Sequence, residues 1–195
     1  MIEFDFLGLI ICTFSIFVYF IVLWKKNNVI DNIVSIVFIV YIICLVGVVF
    51  FPIPFQKSVI EIHKNYGYGK NYNIIPFKSI IEILRDDRSF VIMRQLGGNL
   101  ILLFPLGIYI PIAIKNKKII NYCIIFVCTS IAIEIMQFMI GKMIGYNYRV
   151  VDVDDVILNT IGAFAGIIIC KLIVLPIYNY LVNVIENKNT SVEEA

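Results

Sequence analysis

Residues 33–51 read Ile33-Val34-Ser35-Ile36-Val37-Phe38-Ile39-Val40-Tyr41-Ile42-Ile43-Cys44-Leu45-Val46-Gly47-Val48-Val49-Phe50-Phe51, a run without a formal charge. About 20 residues at about 1.5 Å rise cross about 30 Å of hydrocarbon, so a run of this length and apolarity marks a membrane-spanning helix. The signature recurs along the chain, in windows at roughly 6–24, 95–114, 119–140 and 156–175, giving five spans with 33–51. The chain is 61% hydrophobic and 15% charged over 195 residues, with a mean hydropathy of +0.93. A soluble domain of that size would have too little polar surface to cover such a core. The expectation is an all-α, polytopic membrane protein of about five transmembrane helices. It forms one domain over 1–195, with its core at 35–175 and a C-terminal tail at 176–195.

Composition also excludes several function classes. A net charge of +2 is no basic footprint, so no nucleic acid is expected as a partner. Cys12, Cys44, Cys123, Cys128 and Cys170 all lie in apolar runs without a CxxC pair, and read as small packing residues. His63 is the single histidine, in a segment read as a polar loop, which argues against a His-based metal site or His chemistry. Met1-Ile-Glu3-Phe-Asp5 is acidic where a signal peptide would be basic, so the first run is expected to remain as a helix.

Orientation follows from lysines. Lys25 and Lys26 flank the first connection, Lys115, Lys117 and Lys118 the third, and Lys171 and Lys188 follow the last span. With five spans these positions share one side, which the positive-inside rule makes the cytoplasm. The expectation is a multi-pass protein of a bacterial cell membrane, N-terminus outside and C-terminus inside, with 52–94 and 141–155 facing outward. Trp24 is a candidate interfacial anchor, whereas Tyr41 falls mid-span and is expected to be packed. Within the long outer segment, Asn73 to Arg85 has a helical pattern, with Pro76 in its first turn and Phe77, Ile80, Ile81 and Leu84 on one face. Too short to span, it reads as a short amphipathic helix that lies along the membrane surface or re-enters slightly, a lid tying spans two and three together or bearing on a ligand, with Pro76 and Phe77 at its start.

Three spans place polar groups at one depth. Asn99 lies near the outer start of the third, and Glu134 and Gln137 share a face of the fourth at i, i+3. Asp152, Asp155 and Asn159 share a face at the start of the fifth, just after Arg149. A charged side chain at a span centre costs about 2.5–3.5 kcal/mol, less toward the interface. Glu134 should therefore face the bundle interior, either protonated or paired, with Arg149 as the obvious partner. Asp152, Asp154 and Asp155 offer hard oxygens to Mg²⁺, but Arg149 competes for them. Neither a metal nor another cofactor is favoured. Gly162-Ala-Phe-Ala-Gly166 has the GxxxG spacing of close helix packing, and Pro105 should kink the third span.

Taken in order, these residues carry a resemblance. Asn73-Ile-Ile-Pro76-Phe77, Gly98-Asn99 through Phe104-Pro105-Leu-Gly107, Glu134-Ile-Met-Gln137, and Arg149-x-x-Asp152-x-x-Asp155-x-x-x-Asn159-x-x-Gly162 resemble the VanZ-like family of bacterial membrane proteins over about residues 35–175. The resemblance implies a cell-envelope role and a link to resistance to the glycopeptide teicoplanin, without implying a reaction. The residues themselves suggest an outer-leaflet site that binds or modifies a polar lipid-linked or wall-associated group. Its partners would be membrane lipid, a lipid-linked cell-wall precursor or a glycopeptide. Asn99, Gln137, Arg149, Asp152 and Asn159 would contact the ligand. Glu134 and Asp155 are the candidates for any acid–base step. The alternatives are a small transporter or flippase, and a partner-binding protein whose charged cluster is an internal ion-pair brace.

Overall fold

The computed structural model describes residues 4–22, 28–54, 56–65, 72–85, 88–114 and 118–193. Trp24, Lys25, Lys26, Lys115 and Lys117 lie outside the described residues. Helix α1 covers Asp5–Val22 and α2 covers Val29–Phe50; the short α3 (Lys57–Asn65) and α4 (Lys78–Leu84) follow. His63 therefore falls on a helix, where a loop was expected. The third span is a composite of α5 (Ser89–Ile92), a π-helical turn at Met93–Gly97, α6 (Gly98–Leu102) and α7 (Phe104–Ala113). Then come α8 (Ile119–Ile144) and α9 (Val153–Ile169), and a second π-helical turn, Cys170–Val174, leads into α10 (Leu175–Glu193). Among the described residues the strands are β1 (Tyr72–Asn73) and β2 (Val151–Asp152), paired in parallel with Tyr72 opposite Val151.

Four helical stretches among the described residues are long and apolar enough to cross a membrane, Val29–Phe50, Phe90–Ala113, Ile119–Ile144 and Val153–Ile185, and Gly8–Val22 is a shorter apolar helix. The chain is thus an all-α, multi-pass membrane protein. Its exposed surface agrees, since Phe14, Val37, Ile101, Ile124, Ile168 and Leu172 point outward from successive spans.

Local chemistry sets the helix ends. Asn28 starts α2 by accepting the Asp31 N–H at 2.8 Å. Pro52 and Pro54 stop it, because neither has an N–H to continue the ladder. Gly145, at φ 76°, closes α8: its N–H reaches the Lys142 carbonyl at 3.1 Å and the Tyr146 N–H reaches Gly141 at 2.9 Å, a Schellman ending. The third span breaks at Leu103, just before Phe104-Pro105, and the Tyr41 hydroxyl donates to the nearby Leu102 carbonyl at 2.9 Å. Mid-span Tyr41 is therefore packed, with its polar tip satisfied. The last span overruns its expected end at 175, and the segment expected as a tail is helical to Glu193. A wide turn at Cys170–Val174 leads directly into α10, with Pro176 as its second residue.

Spans three and five form the tightest contact. A Cβ placed on Gly162 would collide with the Leu100 carbonyl, and one on Gly166 with the Phe104 carbonyl. Around this contact lies an apolar core of Val49, Leu103, Leu106, Phe126, Ala163 and Ile167. At the Asn28 end of the bundle, Tyr178 of α10 donates to the Asp31 carboxylate, and Tyr19 donates to buried Asn32 at 2.8 Å.

Candidate functional site

The opposite end of the bundle gathers the polar side chains. The α2 C-terminus, the start of the third span, the latter half of α8 and the start of α9 all meet there. The β1–β2 bridge and α4 lie across them. Asp152 is the N-cap of α9: its Oδ1 accepts the Asp154 N–H at 2.8 Å and the Asn73 amide at 2.8 Å. Its own N–H donates to Glu134 Oε2 at 3.1 Å, which ties span four to span five.

Asp154, considered from sequence only as a metal ligand, holds the lid. It is 1% exposed, and its carboxylate accepts the N–H of Phe77 at 2.5 Å and of Ile80 at 3.1 Å. These are the free donors of a turn and of the first turn of α4. The turn runs from Ile75 to Lys78, whose N–H returns to the Ile75 carbonyl at 3.3 Å. Pro76 is its second residue and Phe77, at φ 65°, its third, a type II arrangement. Pro76 thus precedes the helix, where the sequence suggested its first turn. Asn73 shapes the approach by accepting the Ile75 N–H at 3.0 Å and donating to Ser79 at 3.0 Å. The lid's faces also differ from expectation. Ile80 and Ile83 are half-buried, while Phe77, Ile81 and Leu84 stay exposed as an apolar edge.

Arg149 does not form the expected ion pair. Its guanidinium NH2 donates to the Val48 and Phe51 carbonyls, each at 2.8 Å. The cause lies in the end of α2: Pro52 removes the donor that the Val48 carbonyl would receive, and Pro54 does the same for Phe50. Tyr148 supplies Phe50 at 2.8 Å, and the Gln137 amide supplies Val49 at 3.0 Å. Burial raises the Tyr148 phenol above its ordinary pKa, against a smaller opposing pull from Arg149, which keeps it a donor. Serving these carbonyls, at the negative end of a helix dipole, is favourable for a cation. Sequence reasoning overlooked the α2 terminus, although Phe51-Pro52-Ile53-Pro54 was a visible signal that its last carbonyls needed outside donors.

The remaining groups line a common space. Asn99, Glu134, Gln137, Arg149, Asp155 and Asn159 all face a pocket of about 90 Å³. Asn99 donates its amide to Asp155 Oδ1. Asn159 is 1% exposed; its amide donates to Ser130 at 3.1 Å while its Oδ1 has no partner. Above the pocket lies a wider basin of about 650 Å³ under the lid. Asn99, Arg149, Val150 and Asp155 belong to both walls, and Ser79, Glu82, Arg94 and Gln95 extend the outer one. Asp152 lines only the outer basin. Pro76 and Phe77 belong to the lid's turn, and Gly162 and Gly166 to the helix contact below. Among the described residues, no group of three or more His, Cys, Asp or Glu side chains is arranged to hold a metal ion.

A family model described as VanZ/LLP1 matches residues 38–174. No curated protein and no solved structure matches the chain. The matched region covers more than two thirds of the sequence, including every residue of the pocket and the lid, and the chain belongs to this family.

Proposed function

We propose that this VanZ/LLP1-family membrane protein is a non-transporting envelope factor that binds a polar, lipid-linked group at the outer leaflet of a bacterial membrane. One observation carries the reading: six polar side chains from four separate segments line one small pocket, and that pocket shares its wall with a basin under an amphipathic lid. A brace alone needs no cavity. The lysines of the connections support an outward-facing lid, since they cluster at the other ends of the spans. The exposed Phe77, Ile81 and Leu84 suit a helix lying in the interface.

Transport is the weaker reading. Leu103, Leu106, Phe126, Ala163 and Ile167 fill the bundle below the pocket, where a transporter would need polar groups continuing across. A contribution to teicoplanin resistance is the process that the family resemblance suggests for such a site. In a strain whose teicoplanin susceptibility depends on this protein, Asp155→Asn should sensitise cells as fully as deletion, with the variant present in the membrane at wild-type level. Unchanged susceptibility at that level would overturn the role of the pocket.

A further inference from the structure

We infer that the inner pocket receives an ammonium group and that Arg94 and Arg149 take the phosphate of the same molecule, an aminophosphate such as an ethanolamine phospholipid headgroup. The inference rests on the pocket being a ligand site, as proposed above, and assigns the ligand's chemistry.

The inner pocket is built of acceptors. Asn159 Oδ1 is buried and unpartnered. One oxygen of Asp155 is taken by Asn99, and one of Glu134 by the Asp152 N–H. Among the described residues, the second oxygen of each has no hydrogen bond. Arg149 is the cation beside them, but its NH2 is spent on the Val48 and Phe51 carbonyls. Glu134 is buried and Asp155 half-buried, and the hydrogen bonds each accepts come from neutral donors, a setting that favours a further positive charge. An ammonium has three donors and no acceptor, which matches three oxygens on residues that line the pocket. A metal ion fits poorly, since no cluster of three acidic, thiol or imidazole ligands is arranged to hold one among the described residues.

Size sharpens the choice. The volume of about 90 Å³ equals the share of about three water molecules at about 30 Å³ each. That admits an ammonium on a short stem. A trimethylammonium head is bulkier and has no N–H to offer. Outside, the basin wall is mixed in charge: Glu82, Asp152 and Asp155 line it, but it also carries Arg94 and Arg149 with Ser79 and Gln95. Guanidinium groups and hydroxyls are phosphate-binding chemistry. Because Arg149 and Asn99 belong to both walls, a phosphate at the rim would lie a short stem from the inner pocket. The lid that borders the basin through Ser79 and Ile83 also carries an exposed apolar edge of Phe77, Ile81 and Leu84, which suits a ligand with acyl chains and favours a lipid source over a soluble one.

The test is a binding comparison on the full chain in phosphatidylcholine nanodiscs. The probes are short-chain phosphatidylethanolamine, phosphatidylcholine and phosphatidic acid, with free phosphoethanolamine. Phosphatidylethanolamine should bind at least tenfold more tightly than the other two lipids. Glu134→Gln and Asp155→Asn should each erase that preference, bringing its affinity down to that of phosphatidic acid. Asn159→Ala, which removes the neutral acceptor, should do the same and serves if an acidic-site variant does not fold by thermal unfolding. Phosphoethanolamine binding as tightly as the lipid supports the headgroup assignment with a soluble source, and weaker binding supports a lipid source. Equal binding of the three lipids, indifferent to the variants, would overturn the ammonium pocket while leaving a polar-ligand site in place. No binding of any phosphate probe by folded protein would overturn the whole inference, and the Asp155→Asn susceptibility result then decides the broader reading separately.

Discussion

Two residues show how the site is held, and both work through backbone atoms. Asp154 accepts the Phe77 and Ile80 N–H groups and so fixes a turn in which Phe77 has a left-handed conformation. That conformation costs a non-glycine residue about 1–2 kcal/mol. Hydrogen bonds to a charged group contribute about 1.5–3 kcal/mol each, so the two from Asp154 outweigh the strain. Asp154→Ala should therefore destabilise the fold by about 3 kcal/mol and release the lid. Amide hydrogen exchange over residues 78–84 should then speed up well beyond that of α9; unchanged protection there would show that Asp154 is not the clamp. Arg149 and Tyr148 play a matching role at the other wall, closing carbonyls that Pro52 and Pro54 leave open. Leaving a buried carbonyl unmade costs about 1–3 kcal/mol, so the arginine has a structural duty besides any contact with ligand.

At the scale of elements, the contact between spans three and five decides where Asn99 and Asp155 meet. Gly162 and Gly166 let α9 touch the backbone of α6 and α7, with the Leu100 and Phe104 carbonyls against them. Gly162→Ala should cost several kcal/mol, because a backbone carbonyl cannot rotate away as a side chain can. Gly98 is the control: nothing lies within 4 Å of a Cβ there. Replacing glycine by alanine in a helix gains up to about 1 kcal/mol. Thermal unfolding should thus fall for Gly162→Ala and hold or rise for Gly98→Ala, and equal effects would refute the close contact. The elements themselves were legible in the sequence, because an apolar run and an i, i+3 pattern are local. The GxxxG spacing likewise named its glycines without naming their partner. What stayed hidden was pairing across the chain. Asp154 reaches Phe77 from 77 positions away, and Arg149 reaches Phe51 from 98. Backbone acceptors and donors leave no residue-type signature, so a carboxylate that caps a lid reads like a metal ligand. An arginine that caps a helix reads like half of an ion pair. The fifth span was expected to end near 175 from the length needed to cross a bilayer, whereas the apolar helical stretch runs on to Ile185 through a π-helical turn.

The molecule as a whole has an apolar middle between two ends that carry polar groups, Asp31 and Asn32 with Tyr178 and Tyr19 at one and the lidded pocket at the other. Asn99, Glu134, Gln137, Arg149, Asp155 and Asn159, placed from sequence at one depth of separate spans, do converge on one pocket. Below them, Leu103 and Phe126 are fully buried in the apolar core. The fold therefore offers a chamber at one end of the bundle, with a lid over it and apolar packing below it. The question between brace and binding site comes down to whether the chamber holds a molecule. Native mass spectrometry of the gently detergent-released protein answers it most directly, with Asp155→Asn and Glu134→Gln beside the wild type. A binding chamber predicts a retained lipid adduct on the wild type that both isosteric variants lose while their unfolding temperatures stay within a few degrees. Identical adducts on all three, or variants that carry no adduct because they no longer fold, would contradict it.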